Sequence, residues 1–443
     1  PRLSLKWEKE HGFPNTSPEM LFEYACTDAV TTWRLWNKFR DHPAWRELPE
    51  TLWGEKQDFV RVLLEMKRRG VAIDQALIAE YIEQGEKEMA RIREELGLDP
   101  AKRTDQYELF INRLGLPVIK TGKTGPSFDK AVMSRYDDLL EQRGDLTAGL
   151  VKTFRGWQTA LGLMYRPYLR LVDADGALRC SYKLHGTTTG RLSSSEPNLQ
   201  QIPKETDKPW NGRTKEMFVA REGYTLLNAD FSQLELRLAT AYAGEGQLKQ
   251  VFLEGRDIFT EMSKQLQMTR HETKTLTYSM QYGAGVNRLM NAFGVTKEAA
   301  EAIRANYFNT YPRFKNLADI CSNRALSAGK VRIWTGRYRR FKYPSSESYK
   351  AMNAIIQGGA ADIVERVMIR CFQELDSDDC RMLLQVHDSI TWEVRTELVE
   401  EYMPRIKEMM EDVAGAIGSD DFDVKFAVDI GYWSPREAER LVS

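Results

Sequence analysis

The sequence predicts an α+β chain in which a small antiparallel sheet stands among long helices, and three observations predict it. The run Thr225-Leu-Leu-Asn-Ala-Asp230 reads as a strand that ends on a carboxylate. Met382–Val386 and Ile390–Val394 read as two further strands joined through the tight polar turn His387-Asp388-Ser389. From Gln233 to about residue 328 almost everything carries the three-to-four-residue apolar spacing of helices.

Taken in order, the first helix is opened by Ser17-Pro18-Glu19, with Ser as N-cap and Pro at the first helical position. It runs through Ala25, Val30 and Trp33 toward Phe39, and His42-Pro43 closes it. Phe59, Val62, Leu63 and Met66 then share a helical face, Gly70 interrupts, and a charged helix runs from Leu77 to Leu96, so a long antiparallel helical pair is expected. Leu114–Val118 and Lys120–Ser127 are turn-rich and basic and predict an exposed loop before another helix. Within it Gly122-Lys123-Thr124 lacks the upstream glycine of a phosphate loop. Val172-Asp-Ala-Asp-Gly176 predicts a hairpin turn between short strands. Ser434-Pro-Arg-Glu437 has the spacing of a capping box that opens a last helix.

With 443 residues, 42% of them hydrophobic and 29% charged, the chain can bury several subdomain cores, which excludes disordered and low-complexity classes. No window approaches eighteen apolar residues, and the N-terminus lacks the pattern of a signal peptide, so no membrane association is expected. Five scattered cysteines without a Cys-x-x-Cys pair fit reduced thiols and a cytoplasmic location. The absence of an initiator Met suggests processing or a fragment. A formal net charge of -1 means that only local clusters argue for a polyanionic partner.

Three such groups stand out. Asp230 at a strand end and Asp388 at a hairpin tip each place a carboxylate on rigid backbone, as a pair of magnesium ions requires, although an isolated Asp in such a place is more often a turn residue. Arg270, Lys274, Tyr278 and Tyr282 follow at successive i+4 steps and share one helical stripe, with Gly283 after them. Such a stripe offers fixed cations to a triphosphate and a flat platform to a base or sugar, though taken alone it is more commonly a solvated cationic face with core tyrosines. The polar stretch from Thr187 to Pro203, with its single Arg191, reads as a loop laid along a polyanion, and Trp334-Thr-Gly-Arg-Tyr-Arg-Arg-Phe-Lys342 adds four cations between aromatics.

These blocks resemble, in order, those of the family A DNA polymerases, the group of bacterial DNA polymerase I and its phage and mitochondrial relatives. Asp230-Phe-Ser-Gln-Leu-Glu-Leu-Arg237 resembles motif A, Arg270 and Lys274 through Tyr282-Gly283 motif B, and Gln385-Val-His-Asp388 motif C; Thr189-Gly-Arg-Leu-Ser-Ser and Asn353-Ala-Ile-Ile-Gln357 resemble further elements. The resemblance implies a right hand. Residues 1–46 would be the end of a 3'-5' exonuclease-like domain, 47–155 a thumb, 156–235 and 346–443 the palm, and 236–345 the fingers. It implies DNA-templated DNA synthesis with two magnesium ions, manganese as a substitute, on Asp230, Asp388 and the Phe231 carbonyl. Arg270 and Lys274 would hold the incoming deoxynucleoside triphosphate, with Lys274 protonating the pyrophosphate. Glu235 would close the pocket over the sugar, and Tyr278, Gln233 and Tyr282 would complete the nucleotide site. Arg191, Gln233, Asn353 and Gln357 would sense duplex geometry; Asn198, Gln201 and His387 would also lie along the primer-template DNA. A monomer is expected, with room for an accessory processivity factor.

Three departures matter. Tyr278 stands where bacterial relatives carry Phe and phage relatives Tyr, which implies good acceptance of dideoxynucleotides. Ser389 follows Asp388 where a glutamate is usual, and Tyr349 stands where an arginine is common, so that contact is either lost or supplied by Lys350. Tyr24-Ala-Cys-Thr-Asp28 resembles the third exonuclease motif, but the first two would lie upstream of Pro1, and one carboxylate does not hold two metals. No proofreading is expected of this chain. A nuclease fails on the same missing carboxylates, an RNA polymerase is disfavoured by Glu235, and the remaining alternative is a non-catalytic primer-template-binding subunit.

Overall fold

The computed structural model describes residues 17–203, 206–419 and 422–439. The first helix, α1 (Pro18–Arg40), starts as the sequence predicts: the Ser17 side chain accepts from the Met20 N–H, with Pro18 at the first turn. None of its residues is buried. Residues 1–16 of the expected exonuclease remnant lie outside the described residues.

The expected antiparallel pair does not form. Helix α2 (Thr51–Arg69) is followed at once by strand β1 (Val71–Ile73) and then α3 (Gln75–Leu96), which is capped by Asp74 through the Leu77 N–H. The apolar stripes of the two helices enter different cores: Phe59, Val62, Leu63 and Met66 join the larger one, Leu77, Ile78 and Tyr81 a second. Periodicity shows which face a helix buries but not against what. Beyond α3, Lys130–Glu141 and Thr147–Ala160 build a third, smaller core around Phe110 and Tyr136. The basic segment 120–127 is a loop closed by a two-residue ladder, Thr121 opposite Pro126, in which Arg103 holds Thr124.

Residues 172–176 do form a turn, but it joins helix Arg166–Leu171 to β2 (Ala177–Leu178), whose partner is the distant β1. The second neighbour of β1 is β3 (Phe218–Val219).

The main sheet contains β4 (Tyr224–Phe231), β5 (Cys380–Val386), β6 (Ser389–Arg395) and β7 (Val428–Tyr432), all antiparallel, in the order β5-β6-β4-β7. The period-2 rule divides its two faces. Leu227, Ala229 and Phe231 of β4 and Ile390, Trp392 and Val394 of β6 point into the larger core. Asn228 and Asp230 therefore lie on the opposite face, Asn228 half-buried and Asp230 exposed, while Leu226 nearer the start of β4 is covered by the second core. The turn between β5 and β6 is only His387-Asp388, one residue shorter than the sequence predicts, with His387 at a φ of +60°. Such a conformation is costly for a residue with a Cβ and marks a position fixed by its surroundings.

Between the strands, the helices α4 (Leu234–Ala243), α5 (Ile258–Leu266), α6 (Arg270–Gln281) and α7 (Pro312–Ala328) follow one another as predicted, and α8 (Ala351–Glu374) crosses the core. Apolar residues ring α8 on nearly all sides, which is the composition of a buried helix. Gly359 allows Leu238 and Trp334 to approach, since a Cβ there would lie 2.9 Å and 3.0 Å from them. At the C-terminus the predicted capping box is absent. Ser434 Oγ makes no hydrogen bond, and Glu437 accepts from the buried N–H groups of Ala220 and Leu226, at 3.3 and 3.1 Å, two donors that would otherwise be buried without a partner.

Candidate active site

The ladder brings the two aspartates together. Ser389 pairs with Asp230 across β6 and β4, so Asp388 lies one residue from the partner of Asp230. The N–H of Phe231, the last residue of β4, donates to the Asp388 carbonyl at 3.1 Å. Beyond Asp230, Asp429 of β7 is in register, and its carboxylate accepts from Ser232 Oγ. Ser389 offers no substitute carboxylate: its hydroxyl donates to the Val386 carbonyl at 3.0 Å. Among the described residues no group of three His, Cys, Asp or Glu side chains converges as a metal cage. Two carboxylates plus a carbonyl still fit magnesium, a hard ion that retains waters and takes substrate phosphates to complete its shell.

Gln233, at a φ of +50°, turns the chain out of the sheet and into α4, which places Glu235 in its first turn. Glu235 is 7% exposed. Its carboxylate is ion-paired with Arg191 and accepts from Tyr282 OH at 3.1 Å. Burial raises its pKa, with Arg191 and Tyr282 opposing the rise. The sequence predicts Arg191 and Glu235 as contacts to different ligands, DNA and the sugar; the structure joins them in one pair.

Helix α6 opens with the capping box Thr269/Glu272 and ends at Gln281, so Tyr282 is its C-cap and Gly283, at a φ of +67°, leaves it. The stripe is graded: Arg270 and Lys274 are exposed, Tyr278 and Tyr282 half-buried. Arg270 is paired with Asp257, the N-cap of α5, at 2.7 Å. Phe259 lies under both cations, each 5.8 Å from the ring centroid, and packs on Tyr278, which stacks on Tyr282. Burial pushes the Tyr278 hydroxyl up to about 12, so it stays a proton donor at neutral pH.

Gly190, Arg191, Glu365, Gln385 and His387 line one cleft between the 187–191 loop and the β5–β6 turn. Gln385 Nε2 donates to the His387 carbonyl at 2.5 Å and its Oε1 accepts from Gln200 at 2.7 Å, a buried relay that accounts for the strained turn and that sequence reasoning missed. Asn198 Oδ1 is engaged by Ser194 and the Gln200 N–H, whereas Gln201 is exposed. Asn353 Oδ1 is buried without a hydrogen-bond partner and Gln357 bonds Tyr282, both on α8. Tyr349 is exposed under Lys350, and its carbonyl would meet a Cβ at position 283.

Two cations of the 334–342 segment are already engaged within the protein. Arg337, one of the four cations of the 334–342 segment, turns inward onto Asp362, because that buried carboxylate and two nearby carbonyls need donors. Arg340 pairs with Glu47. Asp28 lies exposed on α1, away from any core. Among the described residues no helix is long and apolar enough to cross a membrane.

The family model "DNA polymerase family A" matches residues 73–434. The thermostable DNA polymerase I of Thermus filiformis is 33% identical over 84% of this chain and 46% of its own length. DNA polymerase I of Pseudomonas aeruginosa is 31% identical over 98% of the chain and 49% of its own. This chain thus spans about half the length of those relatives. The solved POL domain of Pol1 from M. smegmatis, in complex with DNA primer-template and dNTP, superimposes with a TM-score of 0.76 at 24% identity, covering 85% of this chain and 70% of that one. Sheet, motifs and relatives agree, and the chain belongs to the DNA polymerase family A.

Proposed function

We propose that this chain extends a primer 3' end on a DNA template with deoxynucleoside triphosphates. The observation that carries the reading is the β4–β6 register, which sets Asp230 beside the Asp388 turn while Glu235 and Tyr282 tie that sheet edge to the cationic stripe of α6. The primer 3'-oxygen would form a bond to the α-phosphorus as the bond to the β-phosphate oxygen breaks, releasing pyrophosphate. Asp230, Asp388 and the Phe231 carbonyl would hold two magnesium ions, or manganese in their place, which supply charge stabilisation for the attacking and leaving oxygens. Arg270 would grip the triphosphate as a fork, and Lys274 would donate a proton to the leaving pyrophosphate.

Tyr278 is a protonated hydroxyl beside the pocket and would support a sugar that lacks its own 3'-hydroxyl, so dideoxynucleotides are accepted. Glu235 would close the pocket at the 2'-position, and Tyr282 and Gln233 would shape it. Arg191, Asn198, Gln201, Asn353, Gln357 and His387 would face the duplex; the orphaned Asn353 oxygen supports this, since a buried acceptor without a partner awaits one. The thumb is proposed as residues 47–155, rooted in the sheet core through α2, the fingers as 236–345, and the palm as 156–235 with 346–443. Tyr24 and Asp28 are proposed to carry no exonuclease reaction among the described residues, where no group of three metal-ligating side chains converges on α1. The protein would act as a monomer, in the cytoplasm.

Extension of a labelled primer with magnesium tests the reading, with Asp388→Ala in parallel. Templated extension abolished by the substitution is expected. Tight primer-template binding without extension would favour a non-catalytic binding subunit.

A further inference from the structure

We propose that Arg337 is a positioning residue that aligns Arg191 with Glu235 and thereby sets sugar discrimination. The proposal rests on the reading of Glu235 as the group that closes the sugar pocket. Arg337 leaves the Lys330–Arg332/Tyr338–Arg340 hairpin and turns inward, its side chain 18% exposed and that of Asp362 5%. Its guanidinium binds both Asp362 oxygens, at 2.9 and 3.3 Å, and Thr335 Oγ1 donates to the same carboxylate at 2.6 Å. With the charge thus neutralised, Nη2 also reaches the carbonyls of Thr189 at 3.0 Å and Gly358 at 3.3 Å. One planar fork therefore joins three segments: the hairpin, α8 with Asn353 and Gln357, and the loop that presents Arg191. A lysine, a point donor on a flexible stem, does not reproduce that geometry.

The contact is close enough to dictate the loop. Gly190 stands at a φ of +91°, and a Cβ there would lie 2.6 Å from Arg337 Nη2. Thr187 Oγ1 closes the loop on the Arg191 carbonyl at 2.7 Å. Arg191 then leaves this fixed backbone for Glu235, and Glu235 meets Tyr282. The other three cations of the segment, Arg339, Arg340 and Lys342, are not part of the relay.

The test compares kcat/KM for dCTP and CTP opposite a template dG, with thermal unfolding alongside, in Arg337→Lys, Gly190→Ala, Glu235→Ala and the control Arg340→Ala. Arg337→Lys and Gly190→Ala are expected to lower the deoxy-to-ribo ratio about tenfold, the scale of one charge-assisted hydrogen bond, while Arg340→Ala leaves it unchanged. In an Arg191→Ala background neither should lower the ratio further, because the effect travels through Arg191. Gly190→Ala keeps both charged side chains, Arg337 and Asp362, in the protein and instead forces the guanidinium and the loop apart, so it decides the matter if Arg337→Lys fails to fold. A lowered ratio in Glu235→Ala with unchanged ratios in both test variants would overturn the proposal alone, as would additivity with Arg191→Ala. An unchanged ratio in Glu235→Ala would sink the gate reading and the proposal with it.

Discussion

The sheet edge and helix α6 hold the two charge types of the candidate site in opposite ways. Asp230 is fixed by ladders on both sides, to β6 and β7, and Asp388 by a two-residue turn braced through Gln385. Anions that repel one another are thus imposed by backbone that has no alternative register without exposing Leu227, Ala229 and Phe231. Arg270 and Lys274 are exposed at the solvent end of their helix, and Arg270 rests on a surface carboxylate, Asp257. The acidic half is fixed by backbone, whereas the proposed basic half would exchange Asp257 for a triphosphate.

If that contrast holds, the largest effect belongs to the sheet. Asp230→Asn or Asp388→Ala should lower kcat by about 10³-fold or more with little change in Tm, since several kcal/mol of charge stabilisation depend on them. Single-turnover extension reads this, and a loss under tenfold would break the comparison. Lys274→Ala should cost about 10²-fold in kcat if it donates a proton, with Lys274→Arg recovering binding more than rate. Tyr278→Phe should raise discrimination against dideoxynucleotides by about tenfold or more through loss of one hydroxyl, measured as the ratio of kcat/KM for dideoxy- and deoxynucleotide. Asp257→Ala should have a small effect of the other sign, lowering KM for the nucleotide about two- to fivefold at low salt, because an exposed pair is worth under about 1 kcal/mol. An unchanged or raised KM would remove Asp257 as the competitor for Arg270.

A last effect concerns stability rather than catalysis and shows only at alkaline pH. Burial raises Tyr165 and Tyr278 to about 12, from the ordinary 10.0. A folded-state pKa above the unfolded value contributes stability that is full below pH 10 and lost as pH rises toward 12. Tyr278→Phe, which has nothing to ionise, should show a shallower decline in unfolding free energy over that window, by at most ~1.4 kcal/mol per pH unit, read from chemical denaturation at each pH.

Much of the candidate site was legible because its parts are local. A strand of alternating pattern that ends on Asp230, a polar hairpin tip, and four residues at i+4 spacing each declare their geometry within a dozen positions. The helix start at Ser17 was equally local, since a cap concerns only the next turn. Ser434 and Glu437 show the limit: the spacing was right, but the carboxylate met two buried donors more than 200 positions away in sequence. Gln200 and Gln385, 185 residues apart, left no sequence signal at all. Arg337 left only a misleading one, as part of a basic run.

The sequence by itself determined the α+β class, the strand end that carries Asp230 and the cation-to-aromatic order along α6, because periodicity and turns act through near neighbours, while its ordered motifs carried the resemblance to the family. Only the tertiary structure decided that α2 and α3 part into separate cores, that Arg191 meets Glu235 and that Arg337 turns away from solvent. Those outcomes depend on which buried donors and acceptors remain unpaired once distant segments have packed, and no short window of residues contains that information.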